Sequence, residues 1–131
     1  MYKYNYTVKF HDVDAAGIIF HANVFKIAHD AYQEMMNKYN FSAEYFTNEK
    51  YGYPLVHTEA DYFTPLKFDQ KIIIEIGAKE IRENSFEINY KFCDEANTKF
   101  VEVKTVHVCI DKSNFKKTKL PEEVVKILSG L

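Results

Sequence analysis

The stretch Asp12-Val-Asp-Ala-Ala-Gly-Ile-Ile-Phe-His-Ala-Asn-Val24 separates two different hydrophobic periods. Ahead of it, Tyr4, Tyr6, Val8 and Phe10 alternate with Asn5, Thr7, Lys9 and His11, the period of a half-buried strand. Beyond it, over residues 22–39, Val24, Ile27, Ala28, Ala31, Met35 and Tyr39 recur three and four apart. Phe25, Tyr32 and Met36 widen that stripe, and His29, Asp30, Gln33, Glu34, Asn37 and Lys38 fall mostly opposite it. This is the pattern of one long helix with a broad apolar face. The stretch between follows neither period and holds Gly17, so it reads as a loop. It sets Asp14 ahead of a helix N-terminus, where unpaired N–H donors and a partial positive charge collect. An acid or base facing such donors is what a carbonyl needs if water is to attack it.

Downstream, strands dominate. Residues 40–53 are turn-like, with one helical turn opened by Ser42. Residues 55–63 are extended and stop at Thr64-Pro65, since proline cannot continue a central strand. Over 70–81, Ile72, Ile74, Ile76 and Ala78 share one face. Glu83-Asn84 forms a tight turn, and Phe86, Ile88, Tyr90 and Phe92 then alternate with Glu87, Asn89 and Lys91. A second turn at 94–98 leads into a last strand over 100–110, whose apolar phase slips near Thr105 and predicts a bulge there. Residues 121–131 suit a short helix with Pro121 near its first turn. The order lacks βαβ alternation, so a doubly wound sheet is excluded. The expectation is an α+β fold in one domain, 1–131, with an antiparallel five-stranded sheet around one long helix. One helix covers only part of a sheet face, which with an open edge points to a second subunit.

Bulk properties narrow the function. The 131 residues are 47% hydrophobic and 16% aromatic, enough for a core and unlike a disordered chain. A net charge of −2, with both signs interspersed, argues against a dedicated nucleic-acid binder. Cys93 and Cys109 have neither zinc-type spacing nor the density of a disulfide scaffold. No run approaches a membrane span, and the first residues lack the apolar segment of a signal peptide, so a cytoplasmic protein is expected. No metal, flavin or nicotinamide motif is visible, and no cofactor is expected.

A strand, an Asp-x-Asp-x-x-Gly loop, one long helix and four strands resemble the hotdog fold, and the loop resembles that of the 4-hydroxybenzoyl-CoA thioesterase family. The likeness runs from the first strand to about Ile110. Asp14-Ala-Ala-Gly-Ile-Ile-Phe20, Ala22-Asn-Val24, His29-Asp-Ala-Tyr-Gln-Glu34, Pro54-Leu-Val-His-Thr-Glu-Ala-Asp-Tyr-Phe-Thr-Pro-Leu66 and Ser85-Phe-Glu-Ile-Asn-Tyr-Lys91 are similar to 1,4-dihydroxy-2-naphthoyl-CoA hydrolases of quinone biosynthesis. Phe20-His21 is instead similar to thioesterases associated with the Tol-Pal envelope system, because the naphthoyl branch more often has an aromatic residue at position 21. The resemblance implies an acyl-CoA thioesterase, with hydrolysis of an aromatic acyl group as the first reading. A short-chain or carrier-protein thioesterase of the envelope-associated kind is the second, and a non-catalytic acyl-binding scaffold the third. It also implies a homodimer or homotetramer with sites at subunit interfaces.

Carried over residue by residue, the resemblance makes Asp14 the catalytic carboxylate, as nucleophile or as base on water. Gly17 supplies a positive φ or lets the thioester approach the backbone. The backbone N–H of His21 polarises the carbonyl. Asn23 caps or orients the loop and joins the substrate site. Arg82 matches a basic position for the CoA phosphates, although Glu83 and Asn84 replace basic residues seen in some members; Lys99, Lys116, Lys117 and Lys119 are further candidates. His57, with Glu59 and Asp61 on one strand face, lines either an acyl pocket or an interface. Asp12 and His11 with Asp14 and His21 would be metal-ligand types, but Asp12 reads better as a turn former or charge partner. Glu34 reads as a solvated or interface residue inside the helix. Tyr62, Phe63, Phe25 and Tyr32 are aromatic pocket or core residues.

Overall fold

Alternation of β-branched and aromatic residues with polar ones produces the strands of the main sheet. The computed structural model describes residues 1–41 and 47–131. Strands β1 (Tyr2–Thr7), β3 (Leu55–Tyr62), β4 (Lys71–Lys79), β5 (Ser85–Cys93) and β6 (Lys99–Val108) form one sheet in the order β1-β4-β5-β6-β3. Every pairing in it is antiparallel. Two-residue strands β2 (Tyr51–Gly52) and β7 (Ile110–Asp111) pair separately. The helix turn expected from Ser42 lies outside the described residues.

Helix α1 (Asn23–Lys38) lies across one sheet face against β1, β4 and β6. It buries Val24, Ile27, Ala28, Ala31, Tyr32, Met35 and Met36, close to the expected stripe. The larger of these contribute about 1.5–3 kcal/mol each by leaving water. Tyr39 differs: it follows the last turn and is exposed. From the sheet, Ile72, Ile74, Ile76, Phe86, Ile88, Tyr90 and Phe92 complete the core. Helix α2 (Glu122–Ser129) starts directly after Pro121 and buries Val124 and Leu128.

Two expectations are corrected. Phe10 does not extend β1; it opens a 3-10 turn, Phe10–Asp12, with its ring 80% exposed. In β6 the inward phase does not slip at Thr105. Val101, Val103, Thr105 and His107 all point into the core, so two polar residues occupy apolar positions. The irregularities lie elsewhere, between Leu55 and His57 on β3 and opposite Phe92/Cys93.

Hydrogen bonding and stacking make the buried pair tolerable. His107 Nδ1–H donates to the Tyr53 carbonyl at 3.2 Å, which leaves Nε2 to accept from the Thr105 hydroxyl at 3.2 Å. The ring is stacked between Tyr32 and Phe86, at centroid distances of 5.2 and 4.9 Å. Burial lowers the His107 pKa to about 4, with a smaller contribution from His29, so the imidazole is neutral near pH 7.

On the face away from α1 the sheet is polar. His57 meets Glu59 at 2.6 Å, and Lys104 links Glu59 at 3.3 Å to Glu87 at 4.0 Å. Strand β3 closes one edge of the sheet and is exposed along its length except at Ala60, with Leu55, Val56 and Tyr62 open to solvent.

Candidate active site

The loop after β1 is a small hairpin. Val13 bridges Ile19, Asp14 N–H donates to Ile18 O at 2.9 Å, and Phe20 N–H donates to Asp12 O at 2.8 Å. Gly17 N–H closes the tip on Asp14 O at 3.0 Å, and Gly17 has φ +74°. A turn followed by a left-handed residue is a standard three-residue hairpin connection, and glycine fills that last position without steric cost. A Cβ at Gly17 would meet nothing within 4 Å, so only its backbone angle requires glycine inside the protein.

The two carboxylates of this loop have different surroundings. Asp12 is 2% exposed. Its Oδ2 accepts from Tyr6 OH at 2.7 Å and Lys9 N–H at 2.8 Å, and its Oδ1 lies 3.5 Å from His11 Nε2. Burial, and then the bond to Asp12, raise the Tyr6 pKa far above its usual value, which keeps the phenol a donor. Asp14 is exposed. Its Oδ1 accepts from Ala16 N–H at 2.9 Å and Ile18 N–H at 3.4 Å, which fixes the carboxyl plane, while Oδ2 has no partner among the described residues. An oriented carboxylate with one free oxygen can attack a carbon or take a proton.

The helix start stands beside this hairpin. Ala22 precedes α1 without a side-chain cap, so the capping role expected of Asn23 is not fulfilled. Asn23 instead donates through Nδ2 to Asp12 O at 3.0 Å and ties the helix to the loop. The main-chain N–H of His21 makes no hydrogen bond among the described residues, while its carbonyl accepts from Tyr62 OH at 2.7 Å. An open groove of about 350 Å³ runs along Ile18, Ile19, His21 and the segment Tyr62, Phe63, Thr64, Pro65 and Leu66. Asp14 does not line it.

The remaining expected site residues lie elsewhere. Arg82 follows the far end of β4, and its Nη2 is 3.1 Å from Glu80 Oε2. β4 begins beside Thr7, on the Asp14 side, so about 26 Å of strand separates Arg82 from the loop. His57 is on the polar outer face of β3. Glu34 is exposed and accepts from Asn37 at 3.4 Å. The aromatic residues divide: Tyr32 packs on His107, Phe25 borders the core, and Tyr62 and Phe63 are half exposed at the groove. Among the described residues no group of His, Cys, Asp or Glu is placed to hold a metal ion, and no helix is long and apolar enough to cross a membrane. The bond from Tyr62 to the helix start and the Tyr6–Asp12 pair carry no local sequence signal, because their partners lie 41 and 6 residues apart.

Residues 8–128 match the Thioesterase-like superfamily, and the chain belongs to it. A 1,4-dihydroxy-2-naphthoyl-CoA hydrolase of Nostoc punctiforme is 37% identical over 128 residues, covering 97% of this chain and 86% of that protein. One from Gloeothece citriformis is 31% identical over 131 residues, covering 98% and 92%. The crystal structure of a 1,4-dihydroxy-2-naphthoyl-CoA thioesterase from Synechocystis superposes with a TM-score of 0.90 at 23% identity, covering 98% of this chain and 96% of that one. A gentisyl-coenzyme A thioesterase superposes at 0.82 and 23% identity, covering 98% and 99%. The fold is therefore that of the hotdog thioesterases.

Proposed function

We propose that this chain, as one catalytic domain, hydrolyses the aromatic thioester 1,4-dihydroxy-2-naphthoyl-CoA to the free acid and CoA, a step of quinone biosynthesis. The names of its relatives support the substrate. The observation that carries the chemistry is the Asp14 carboxylate, anchored through Oδ1 and, among the described residues, open at Oδ2, next to a helix start whose His21 N–H is likewise unengaged. Acting as base, Asp14 takes a proton from water while the oxygen attacks the carbonyl carbon. Acting as nucleophile, it forms a mixed anhydride that water then cleaves. In both routes the C–S bond breaks and CoA leaves as thiolate, so little leaving-group activation is needed. The His21 N–H stabilises the oxyanion, a role whose loss typically costs roughly 10²–10³ in rate. Gly17 holds the turn, and Asn23 fixes the loop against the helix.

The enzyme works as a homodimer or homotetramer in the cytoplasm, in keeping with two unpaired, buried cysteines. Strand β3 offers a free edge with exposed Leu55, Val56 and Tyr62. A twofold axis through that edge is self-complementary. It sets the Leu55 end of one β3 beside the Tyr62 end of the other, so each groove meets the opposite end of the second sheet. A substrate bound there touches both subunits, which accounts for Asp14 standing outside the groove of its own chain.

Thiol release from a panel of acyl-CoAs tests the reading. Naphthoyl and benzoyl esters are expected to be cleaved faster than aliphatic ones, and the Asp14→Asn variant to lose turnover. A preference for aliphatic esters, or undiminished release by the variant, would refute it.

A further inference from the structure

The start of α1 lacks the usual restraint. A helix start is most often pinned by a Ser, Thr, Asp or Asn side chain at the cap, but the cap here is Ala22, which makes no such bond. His21, just ahead of it, is exposed, with its ring against Phe20 at a centroid distance of 4.6 Å. Yet His21 supplies the N–H that the proposed hydrolysis uses, and an oxyanion donor acts by being aimed in advance. Two peptide groups flank its Cα. The one that carries the His21 N–H is held through its carbonyl, since Phe20 O accepts from Asn23 N–H at 2.9 Å. The next is held through His21 O, which accepts from Tyr62 OH at 2.7 Å. With both peptide planes held, φ and ψ at His21 have little freedom left.

Tyr62 makes its bond from a fixed frame. It pairs with Val101 as the last residue of β3. Beyond it, Phe63 N–H and Thr64 N–H both donate to Phe100 O, at 2.8 and 3.3 Å. Pro65 restricts the chain next. Leu66 is fully buried, and its carbonyl accepts from Ile19 N–H at 2.8 Å. The phenol is therefore a strut from the sheet to the helix start. Water could also satisfy the His21 carbonyl, since Tyr62 is 49% exposed, but water is not tethered to the sheet. Burial raises the Tyr62 pKa, which keeps the hydroxyl a donor through the neutral range. We infer that Tyr62 is a positioning residue for the reaction: its hydroxyl, acting on the His21 carbonyl, aims the His21 N–H at the thioester oxygen. The inference rests on the hydrolysis proposed above. It gives the ring and the hydroxyl of one residue separate tasks, since the ring lines the groove.

Tyr62→Phe and Tyr62→Leu, assayed with benzoyl-CoA, separate the hydroxyl from the ring. Tyr62→Phe is expected to lower kcat about tenfold, part of the loss that removing an oxyanion donor causes, with KM within about twofold of wild type. Its melting temperature should stay close to wild type, and its pH–rate profile should keep its shape, because the phenol transfers no proton. Tyr62→Leu should show the same fall in kcat and an added rise in KM. A second readout is the substrate carbonyl itself. In the Asp14→Asn background, which leaves bound benzoyl-CoA uncleaved, polarisation by the His21 N–H lowers the thioester C=O stretching frequency in infrared difference spectra. Adding Tyr62→Phe should return part of that shift. A kcat unchanged by Tyr62→Phe, a loss confined to KM, or a carbonyl frequency that does not move overturns the positioning role while hydrolysis stands. A lost alkaline limb of the pH–rate profile overturns it too, in favour of proton transfer by the phenol. Wild-type protein that leaves benzoyl-CoA intact overturns both readings together.

Discussion

In the loop over residues 12–21, Asp14 Oδ2 and the His21 N–H have no partner among the described residues, whereas inside β6 both ring nitrogens of His107 and the Thr105 hydroxyl are engaged. Both regions hold polar groups that need a hydrogen-bond partner, from protein or from water. Their difference is one of saturation. The core cannot leave a donor or acceptor unmet without a large desolvation cost. The loop can, because solvent reaches it, and so it keeps bonding capacity for a ligand. Asp12 belongs with the core in this respect, although it is only two residues from Asp14.

Removing the Asp14 carboxylate should give the largest effect, and an effect on rate alone. Asp14→Asn is expected to lower turnover by roughly 10²–10⁴, the span of acid–base contributions. Its melting temperature should stay near wild type, since the side chain is exposed and an amide oxygen can still accept from Ala16 N–H. Steady-state kinetics and thermal unfolding on one preparation separate the two. A variant that melts early and turns over normally would erase the contrast between the carboxylates.

Asp12→Ala should show the reverse pattern. It leaves the Tyr6 hydroxyl and Lys9 N–H without their acceptor beneath the loop. Hydrogen bonds to a charged group are worth about 1.5–3 kcal/mol each, so a stability loss of about 3 kcal/mol is expected by denaturant titration. Tyr6→Phe removes one of the two bonds and should cost less than half as much.

The His107 cluster contributes a pH signature. Its pKa falls to about 4 in the fold from 6.5 in the open chain, so the unfolded state binds the extra proton between those values. Stability is therefore fully present above pH 6.5 and falls as pH drops towards 4, by about 3 kcal/mol at 1.36 kcal/mol per pH unit. Denaturant titrations across that window check it. His107→Phe should lower stability at pH 7, because the Tyr53 carbonyl loses its donor, yet flatten the slope below pH 6.5.

How far the sequence could be read follows the same division. Helix α1, β4 and β5 were legible because their inward positions are nearly all apolar, as with Ile72, Ile74 and Ile76. In β6 the sequence misleads, because Thr105 and His107 mimic outward residues; inside, His107 bonds a carbonyl 54 residues away and Thr105 bonds His107. β2 and β7 are two residues each, too short for any period. In the loop, Asp14 and Gly17 were legible as a motif. The contrast between Asp12 and Asp14 was not, since it depends on Tyr6 lying beneath one of them. Arg82 and His57 are correctly placed on strands or their ends, but sequence gives no hint that one subunit holds them apart from Asp14.

Gly17 sharpens the comparison most finely, because two causes for a glycine predict different magnitudes. If φ +74° is its whole purpose, Gly17→Ala costs about 1 kcal/mol of stability, the usual penalty for a side chain in the left-handed region. Gly17→Asn, which tolerates that region better, should then cost less than alanine in both stability and turnover. If the thioester also passes close to this backbone, the added atoms collide with substrate rather than protein, since among the described residues nothing beyond the two chain neighbours lies within 4 Å of a Cβ there. Asparagine, being larger, should then harm kcat/KM more than alanine while harming stability less. The ranking of two variants in two assays thus decides whether the turn serves only the fold or also borders the ligand, without depending on the size of either effect.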